Sequence, residues 1–469
     1  MSIQPRPPIP LGPGPHLFAD DYLIAESTGL QRRAHQPQRL PEPVLCKAER
    51  WHQQPLLFLK IIPYPEEGLF RAWYNVKNPG YCPPVHAYAE SPDGIHWTRP
   101  HLGLIEMDGS RANNLFMQGS GFGLGLLDDG PNAPDPARRF KMTSFEHPSR
   151  PCGLCVAFSP DGLHWTRHPD NPVLPYYFAE DRDFARSVGD ISDTFYDPLR
   201  RRYVANFSMY AVPSDGYVGA SRTGCIRRLV GQSHSEDFVR WSEPHRILAA
   251  DTAGDLTEFY GMSGFVRGDT YYGIVRVLRD DLPADPGGPI EGLGYSQLAI
   301  SHDGEHWRRF SEVFFDRNQT PGTWDHALAW MSAPVYVGDE MYLYYGGYSA
   351  GHKVGDREIG LATLRLDGYV SREAGEATGT LRTPPVILGG AHLTVNADAP
   401  AGVLRVALLD EAGNALPGYA LEDSLPIGGD SVRHPVRWRE RDSLAAAQDR
   451  PVRLAFELRN ASLYAFALD

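Results

Sequence analysis

The chain has 469 residues, of which 42% are hydrophobic and 22% charged, a composition typical of a globular protein. It contains 47 glycines and 41 prolines, which favours many turns and short strands. The net charge of −13 at pH 7 disfavours binding to polyanions. We therefore expect neither nucleic acid nor a membrane surface as a partner.

The cysteines and the N-terminus bear on cofactors and compartment. Five cysteines form an odd and sparse set, which does not imply a disulfide framework. Cys152 and Cys155 form a single C-x-x-C with no second pair, and we predict neither a metal site nor a cofactor there. The first ten residues lack the apolar region of a secretory signal, and no apolar run reaches the roughly 18 residues of a membrane span. We expect a cytoplasmic protein.

One hairpin unit recurs through the first three quarters of the sequence. A strand-like run is followed by a tight turn, usually Asp-Gly, and a Trp then starts the next strand. The unit occurs at 89–97, 157–165, 232–241, 299–307 and, with Tyr369 in place of Trp, at 362–369. Asp-Gly between two alternating runs is a strong hairpin signal. The units therefore indicate hairpins whose aromatic residues lie 62 to 76 residues apart.

Two further strand-like runs precede each hairpin, for example 262–266 and 271–277 in the fourth unit. Four antiparallel strands in each repeat are typical of propeller blades. We predict an all-β chain with a five-bladed β-propeller over residues 1–372. The segment 33–45 is expected to supply an outer strand that helps to close the ring. A set of separate β-sandwiches that share hairpins is the alternative.

The composition and the hydrophobic pattern of the sequence change after Tyr369. Residues 371–379 have the composition of a polar linker, and alternating runs follow at 391–395, 404–409, 433–438 and 452–458. Short strands with intervening turns are typical of a β-sandwich. We therefore predict a small C-terminal β-sandwich over residues 380–469.

Candidate site residues follow from the propeller geometry, because the innermost strands begin around one mouth of a central channel. The predicted catalytic carboxylates at such strand starts are Asp190, Glu258 and Asp325. The predicted substrate-binding residues are Trp51, His52, Asn113, Asn114, Asp193, Tyr260, Trp324 and His326, with His352 from a Gly-rich loop and Asp21 from an Asp pair. The hairpin aspartates are expected to be structural.

This collection of side chains suits sugar chemistry. One carboxylic acid can protonate a leaving oxygen while a second carboxylate acts as base or nucleophile. Aromatic rings stack on sugars, and amide and imidazole groups hydrogen-bond hydroxyls. The sequence shows no characteristic spacing of metal ligands, although a structural ion in the channel is kept as an alternative.

The hairpins and five further segments resemble the five-bladed β-propeller glycoside hydrolases, the group that includes fructosidases and arabinofuranosidases, and within it a bacterial glycosyl-hydrolase-like branch. The matching segments are 17–24, 70–74, 258–262, 361–369 and 456–466. The resemblance implies a carboxylate on each of three inner strands. The N-D-P-N-G, R-D-P and E-C motifs of the fructosidases are absent here, so their residue roles do not transfer one for one.

We therefore predict a glycoside hydrolase that acts on a terminal sugar, with a furanosyl sugar as one option, Glu258 as general acid and Asp190 or Asp325 as base or nucleophile. Two alternatives stay open. One is a non-catalytic carbohydrate-binding propeller, because a fold does not fix a function. The other is a glycoside phosphorylase, for which Arg111 and Arg186 are the candidate phosphate ligands. The oligomeric state is not predicted.

Overall fold

The structure is a computed structural model. It describes residues 7–47, 54–78, 81–118, 123–146, 152–177, 187–190, 192–210, 228–250, 257–352, 354–448 and 450–469. The described chain is built from β-strands, and its helical segments are three short 3-10 turns at Pro65–Glu67, Pro136–Arg138 and Ala445–Ala447. The all-β prediction is therefore confirmed.

Five short strands occupy the N-terminal segment: β1 (Ile9–Leu11), β2 (Gly14–Leu17), β3 (Glu26–Thr28), β4 (Gln31–Ala34) and β5 (Gln38–Arg39). Three antiparallel sheets then follow in chain order. The first contains β6 (Gln54–Tyr64), β7 (Leu69–Asn78), β8 (Tyr81–Ser91) and β9 (Leu115–Met117). The second contains β10 (Gly125–Asp128), β11 (Phe140–Glu146), β12 (Gly153–Ser159), β13 (Thr166–Arg167) and β14 (Leu174–Pro175). The third contains β15 (Ser192–Asp197), β16 (Arg202–Tyr210), β17 (Arg228–Ser235) and β18 (His245–Leu248).

A nine-stranded sheet combines the next two groups of strands. The first group is β19 (Glu258–Arg267), β20 (Thr270–Arg279), β21 (Leu293–Ser301) and β22 (Arg308–Phe315). The second is β23 (Leu328–Met331), β24 (Val335–Val337), β25 (Glu340–Tyr348) and β26 (Arg357–Arg365), with β5 at its outer edge. A single parallel pairing, Gly294 with Leu328, joins the groups. The count of five blades stays a prediction.

The first strand of each group, β6, β10, β15, β19 and β23 with its continuation β24, is called an inner strand below. Inner strand β10 contacts both β6 and β15, β15 contacts β19, and β24 contacts β6. Strands β15 and β19 run in the same direction, because Asp193 contacts Ser263 and Phe195 lies against Gly264. Residues at the N-terminal ends of neighbouring inner strands can therefore face a common space.

The last sheet contains β27 (Val370–Ala374), β28 (Gly379–Arg382), β30 (Leu393–Leu409), β31 (Ile427–Pro435), β32 (Arg453–Arg459) and β33 (Ala461–Leu468). It also takes in β2, β3 and β4, whereas β1 pairs with β29 (Val386–Leu388). The long strand β30 pairs with β33 over its first half and with β32 over its second half, so the sheet curls around an apolar core. A C-terminal sandwich and the boundaries at 372 and 380 stay predictions.

Two local assignments made from sequence are wrong. Asn113 and Asn114 precede β9, which is the last strand of the first sheet and not the start of a new inner strand. The segment 371–379 is not simply a linker, because residues from Val370 to Ala374 form β27 within the C-terminal sheet. In both places the polar composition predicts a boundary between repeats or domains, whereas the chain continues an existing sheet.

The repeated hairpins are closed by local hydrogen bonds. In the first, Ser91 Oγ donates to Asp93, and the carboxylate of Asp93 accepts from the backbone amides of Ile95 and His96. The same bonds recur around Asp161, Asp237 and Asp303. Each hairpin Trp donates its indole N–H to the carbonyl three residues earlier at 2.9–3.3 Å. The turn aspartates therefore have a structural role.

The third hairpin departs from the others because Phe238 stands where three repeats have Gly. Its φ of 66° is in the left-handed region that disfavours a side chain. The ring is nevertheless fully buried and lies against Phe158, Tyr203 and Trp241, with ring centroids 5.0–6.0 Å apart. Aromatic burial therefore outweighs the backbone strain at this turn.

We predict that Phe238→Gly destabilises the protein by about 1–4 kcal/mol. Losing a buried aromatic ring costs roughly 3–5 kcal/mol, and relief of the left-handed backbone returns only about 1–2 kcal/mol. Equilibrium urea unfolding of the wild type and the variant measures the difference. A variant as stable as the wild type, or more stable, would show that strain dominates.

Candidate functional site

Glu258 opens inner strand β19 and is completely buried. Its Oε2 accepts a hydrogen bond from Arg228 Nη1 at 2.5 Å. Its other carboxyl oxygen, Oε1, is buried and has no hydrogen-bond partner among the described residues. Buried polar atoms normally find a partner, so a carboxyl with one oxygen held and the other unpartnered is an unusual arrangement.

Arg228 connects this carboxyl to a second one. It opens β17 and is itself buried, and its Nη1 lies 3.8 Å from Asp280 Oδ2. Asp280 follows the end of β20, and its Oδ1 lies 3.1 Å from His352 Nδ1. Four segments that are distant in sequence therefore form one buried chain of polar groups, Glu258–Arg228–Asp280–His352.

The electrostatics of this chain favour a proton on Glu258. Burial raises the pKa of the Glu258 carboxyl, Arg228 acts to lower it, and the nearby Asp280 carboxylate raises it further, with a net upward shift. The Arg228 guanidinium lies between the Glu258 and Asp280 carboxyl groups, so its positive charge does not act on Glu258 alone. A buried carboxylic acid of this kind is a typical proton donor.

Aromatic rings lie beside the polar chain. Tyr260 is stacked on Trp330 with centroids 4.4 Å apart, and the His352 ring meets Tyr260 edge-on at 4.8 Å. Tyr348 lies against Trp330 at 5.6 Å, and the Arg228 guanidinium is 5.5 Å from the Tyr260 ring centroid. The site therefore combines buried charge with flat apolar surfaces, the combination that sugar rings require.

Asp190 affects the pKa values of two tyrosines, Tyr260 and Tyr210. It lies just before inner strand β15. Burial and then the Asp190 carboxylate are the two largest causes of the raised pKa of Tyr260, and the same two causes raise that of Tyr210, to which Glu258 also contributes. Contacts through Arg228 and Asp280 bring together the predicted site residues Glu258, Tyr260 and His352. Asp190 is connected to them only by its effect on the pKa values of Tyr260 and Tyr210.

Asp325 is buried but has different neighbours. Its carboxylate lies 2.8 Å from Arg39 Nε and accepts from the Tyr345 hydroxyl at 3.0 Å, and its Oδ1 has no partner among the described residues. Trp324 is stacked on the same Tyr345 with centroids 5.3 Å apart. These contacts lie between β25 and the N-terminal strand β5, and none of them is shared with Glu258.

His326 and the two asparagines are held by their own surroundings. His326 has Nδ1 2.9 Å from the Asn318 carbonyl and Nε2 2.9 Å from Asp285 Oδ1. Asn113 bonds the Ile105 carbonyl at 2.8 Å, and Asn114 bonds the Tyr88 carbonyl at 2.7 Å. The asparagines order the chain before β9 and share no partner with Glu258.

Asp193 and Asp21 also lie apart from Glu258. Asp193 accepts from Ser263 and lies 3.1 Å from Arg276 Nη2. Ser263 is five residues after Glu258 on β19, which corresponds to roughly 15 Å along a strand. Asp21 is exposed and pairs with Arg372 of the C-terminal sheet at 2.7 Å.

Three of the remaining predicted residues, Trp51, His52 and Arg186, lie outside the described residues, and Arg111 is largely exposed beside Glu106. The parts of the chain that the structure describes contain no cluster of three or more His, Cys, Asp or Glu side chains that could hold a metal ion. Within the same residues, no helical segment has the length and apolarity that crossing a membrane requires.

Burial raises the pKa of the Cys155 thiol to about 12, which makes it unreactive.

Sequence analysis missed Arg228, Asp280, Trp330 and Tyr348. The strand residues considered were those at the starts of inner strands, whereas Arg228 opens the third strand of its sheet and Asp280 follows the second strand. In an antiparallel sheet the start of one strand and the end of its neighbour lie at the same edge. Applying that rule to all four strands of each repeat would have identified Arg228 and Asp280.

Comparisons with known proteins give fold similarity. No protein-family model matches the chain, and no curated protein matches it. A solved structure described as "Glycoside hydrolase" aligns with 71% of this chain and 93% of its own, at 14% identity and a TM-score of 0.50. A BT0996 RGII complex aligns with 71% of this chain and 93% of its own, at 15% identity and a TM-score of 0.50. A glycosyl hydrolase from Bacteroides ovatus aligns with 71% and 94%, at 14% identity and a TM-score of 0.47.

The chain therefore has the fold of glycoside-hydrolase-like propeller enzymes. The resemblance expected from the sequence is confirmed at this coarse level. The narrower likeness to fructosidases and arabinofuranosidases stays a prediction.

We predict that Arg228→Leu destabilises the protein by about 3–5 kcal/mol at neutral pH, because it leaves the buried Glu258 carboxylate without the cation that holds its Oε2. The loss should shrink as the pH falls, since protonation of Glu258 removes the charge that has lost its cation. Urea unfolding at several pH values measures this dependence. Arg240→Leu is the control, because Arg240 is highly exposed in its pair with Asp237 and should contribute about 0–1 kcal/mol. Equal losses in the two variants would contradict the assignment.

Proposed function

We propose that this protein is a glycosidase that acts on a terminal sugar, with Glu258 as its general acid. The observation that carries the proposal is the buried Glu258 carboxyl, whose Oε2 is fixed by Arg228 while Oε1 has no described partner. Oε1 is thus the atom from which a proton would pass to the glycosidic oxygen. Once the proton has left, the guanidinium beside Oε2 stabilises the carboxylate that remains.

The second carboxylate in this proposal is Asp190, acting as base or nucleophile. Its proximity to Glu258 is supported by their common effect on the pKa of Tyr210, where burial is the largest cause. Asp280 acts through Arg228 and is a positioning residue. Asp325 was the alternative base, but its pairing with Arg39 and Tyr345 favours a role in holding β5 against β25.

The substrate in this proposal is a carbohydrate whose terminal residue stacks near Tyr260. The edge-on His352 and the partly exposed Tyr260 offer hydrogen-bonding groups next to a flat ring. A furanosyl sugar belongs to the proposal through the fructosidase-like resemblance, and exo action belongs to it because a pocket at one end of a propeller channel fits a terminal sugar better than a long chain. We further propose five blades over 1–372 and a sandwich over 380–469, which the repeated four-stranded groups support.

A phosphorylase is the second candidate, and Arg357 is the observation that favours it. Its guanidinium lies 4.6 Å from the Tyr348 ring centroid and donates to the His352 carbonyl, and its buried Nε has no described partner. Such a cation could hold inorganic phosphate beside the sugar. Turnover that requires phosphate and is lost in Arg357→Met would favour this candidate over hydrolysis.

We predict that Glu258→Gln lowers turnover of 4-nitrophenyl glycosides by roughly 100- to 10,000-fold, the usual contribution of a general acid. Substrates carrying 2,4-dinitrophenol should lose far less, because that leaving group departs without a proton. A panel of aryl furanosides and pyranosides supplies the assay. Glu411→Gln, an exposed glutamate, is the control and should retain wild-type turnover. Equal losses with both leaving groups would exclude Glu258 as the acid, and sugar binding without any turnover would favour the non-catalytic alternative.

We also predict that the alkaline limb of the pH profile of kcat lies above the ordinary glutamate range near 4.5, because a general acid must stay protonated and burial raises the pKa of Glu258. Asp280→Asn should move this limb to lower pH, since the Asp280 charge is one cause of the upward shift. Initial rates between pH 4 and 9 test both statements. An unmoved limb in Asp280→Asn would contradict the coupling.

A further inference from the structure

A second polar cluster lies farther along the inner strands, at Lys60, Asp193 and Ser332. Two cavities adjoin it. One of about 310 Å³ is lined by Lys60, Pro63, Leu127, Val335 and Tyr336 among others, and one of about 30 Å³ is lined by Lys60, Asp193 and Ser332 among others. Lys60, Ile61, Pro334 and Val335 line both. The larger cavity therefore lies between the C-terminal ends of β6 and β10 and the start of β24.

Among the described residues, the Lys60 ammonium group has no hydrogen-bond or salt-bridge partner. Burial lowers the pKa of Lys60, and the Asp193 carboxylate opposes this shift. A partly buried ammonium without a compensating group is costly, so such a position favours an anion that would occupy the adjoining space.

The carboxylates around the cavities are already engaged. Asp128 accepts two hydrogen bonds from Arg139 at 2.7 and 2.8 Å and one from the Tyr64 hydroxyl at 2.8 Å. Asp193 accepts from Ser263 and from Arg276, which is itself almost completely buried. Lys60 and Arg276 together carry two positive charges against the one negative charge of Asp193, so one positive charge remains uncompensated in the cluster.

The chemical groups that line the two cavities indicate the class of ligand. Ser332 Oγ is a buried hydroxyl with no described partner, and it borders the smaller cavity beside Lys60. An ammonium and a hydroxyl can together bind a carboxylate. The rest of the larger cavity is mostly apolar, with Ile61, Ile62, Leu127, Pro334 and Val335 on its wall. An apolar wall next to one cation fits a monocarboxylate with a short hydrocarbon body.

We propose that Lys60 and Ser332 form a binding site for a small apolar monocarboxylate, separate from the site around Glu258. The separation follows from β19, where Ser263, the hydroxyl that contacts Asp193, lies roughly 15 Å from Glu258 along the strand. The ligand carboxylate pairs with the Lys60 ammonium, and its hydrocarbon body fills the space beside Leu127 and Val335. The site does not depend on the glycosidase proposal, since it shares no residue with that machinery.

Isothermal titration calorimetry of the full-length protein with hexanoate tests this site, and hexanamide is the neutral probe of the same size. We expect hexanoate to bind at least tenfold more tightly than hexanamide. Lys60→Met should weaken hexanoate binding at least tenfold, whereas Lys60→Arg should stay within about threefold of the wild type. Lys47→Met is the matched control, because Lys47 is an exposed lysine paired with Asp356. It should bind hexanoate as the wild type does.

Equal affinity for hexanoate and hexanamide, no binding of either, or unchanged hexanoate affinity in Lys60→Met would overturn the proposal. If Lys60→Met does not fold, Ser332→Ala and the comparison of the two probes in the wild type still decide it. Ser332→Ala should weaken hexanoate binding about threefold to tenfold and leave hexanamide binding unchanged. An effect of the same size on both probes would assign Ser332 a packing role.

Discussion

The buried pairing of Glu258 with Arg228 is the interaction on which the proposed chemistry depends. Taking a carboxyl out of water favours its protonated form, while a guanidinium beside it favours the charged form. In this protein the two effects act on one group, because Arg228 holds one oxygen and is shared with Asp280. The result is an acid that keeps its proton more readily than an exposed glutamate and has a cation in place when the proton leaves.

The β-sheet scaffold makes this pairing possible by bringing strand ends together. Glu258 opens β19, Arg228 opens β17, and Asp280 follows β20, so three strand ends of two sheets converge on one ion cluster. The hairpin at the other end of β17 is closed by local bonds from Ser235, Asp237 and Trp241. Local sequence therefore fixes the turns, and the convergence of the charged groups comes from packing between sheets.

The difference between local turn chemistry and packing between sheets also explains what could be predicted from the sequence. The Ser-x-Asp-Gly hairpins and alternating runs identify an all-β repeat, because turn chemistry and period-2 patterning act over a few residues. Glu258, Asp190 and Tyr260 were predicted as site residues because inner strand starts share one end, and His352 was predicted from a Gly-rich loop; their roles stay predictions. Asn113 and Asn114 were misplaced, since a polar loop before an outer strand looks like one before an inner strand. The partners of Glu258 and Asp325, Arg228 and Arg39, depend on contacts between distant segments that no local pattern encodes.

The two polar clusters beside the inner strands differ in charge, which fits different ligands. Around Glu258 the Arg228 guanidinium lies beside two carboxyl groups and the pKa of Glu258 is raised, which suits holding a proton. Among the described residues around Lys60, two cations lie beside the one carboxylate of Asp193, which suits an anion. A single strand, β19, contributes to both through Glu258 and Ser263. The balance of charges around each of these two positions on β19, more than the fold itself, therefore determines which kind of ligand can bind beside it.

The most direct test of the central claim is the titration of Glu258 itself. Carbon-13 labelling of glutamate side-chain carboxyls, with Glu258→Gln to assign the resonance, gives its pKa by NMR. The account predicts that Glu258 titrates above the exposed glutamates and that removing the Asp280 charge lowers its midpoint. A Glu258 resonance that titrates together with the exposed glutamates, or below them, would contradict it.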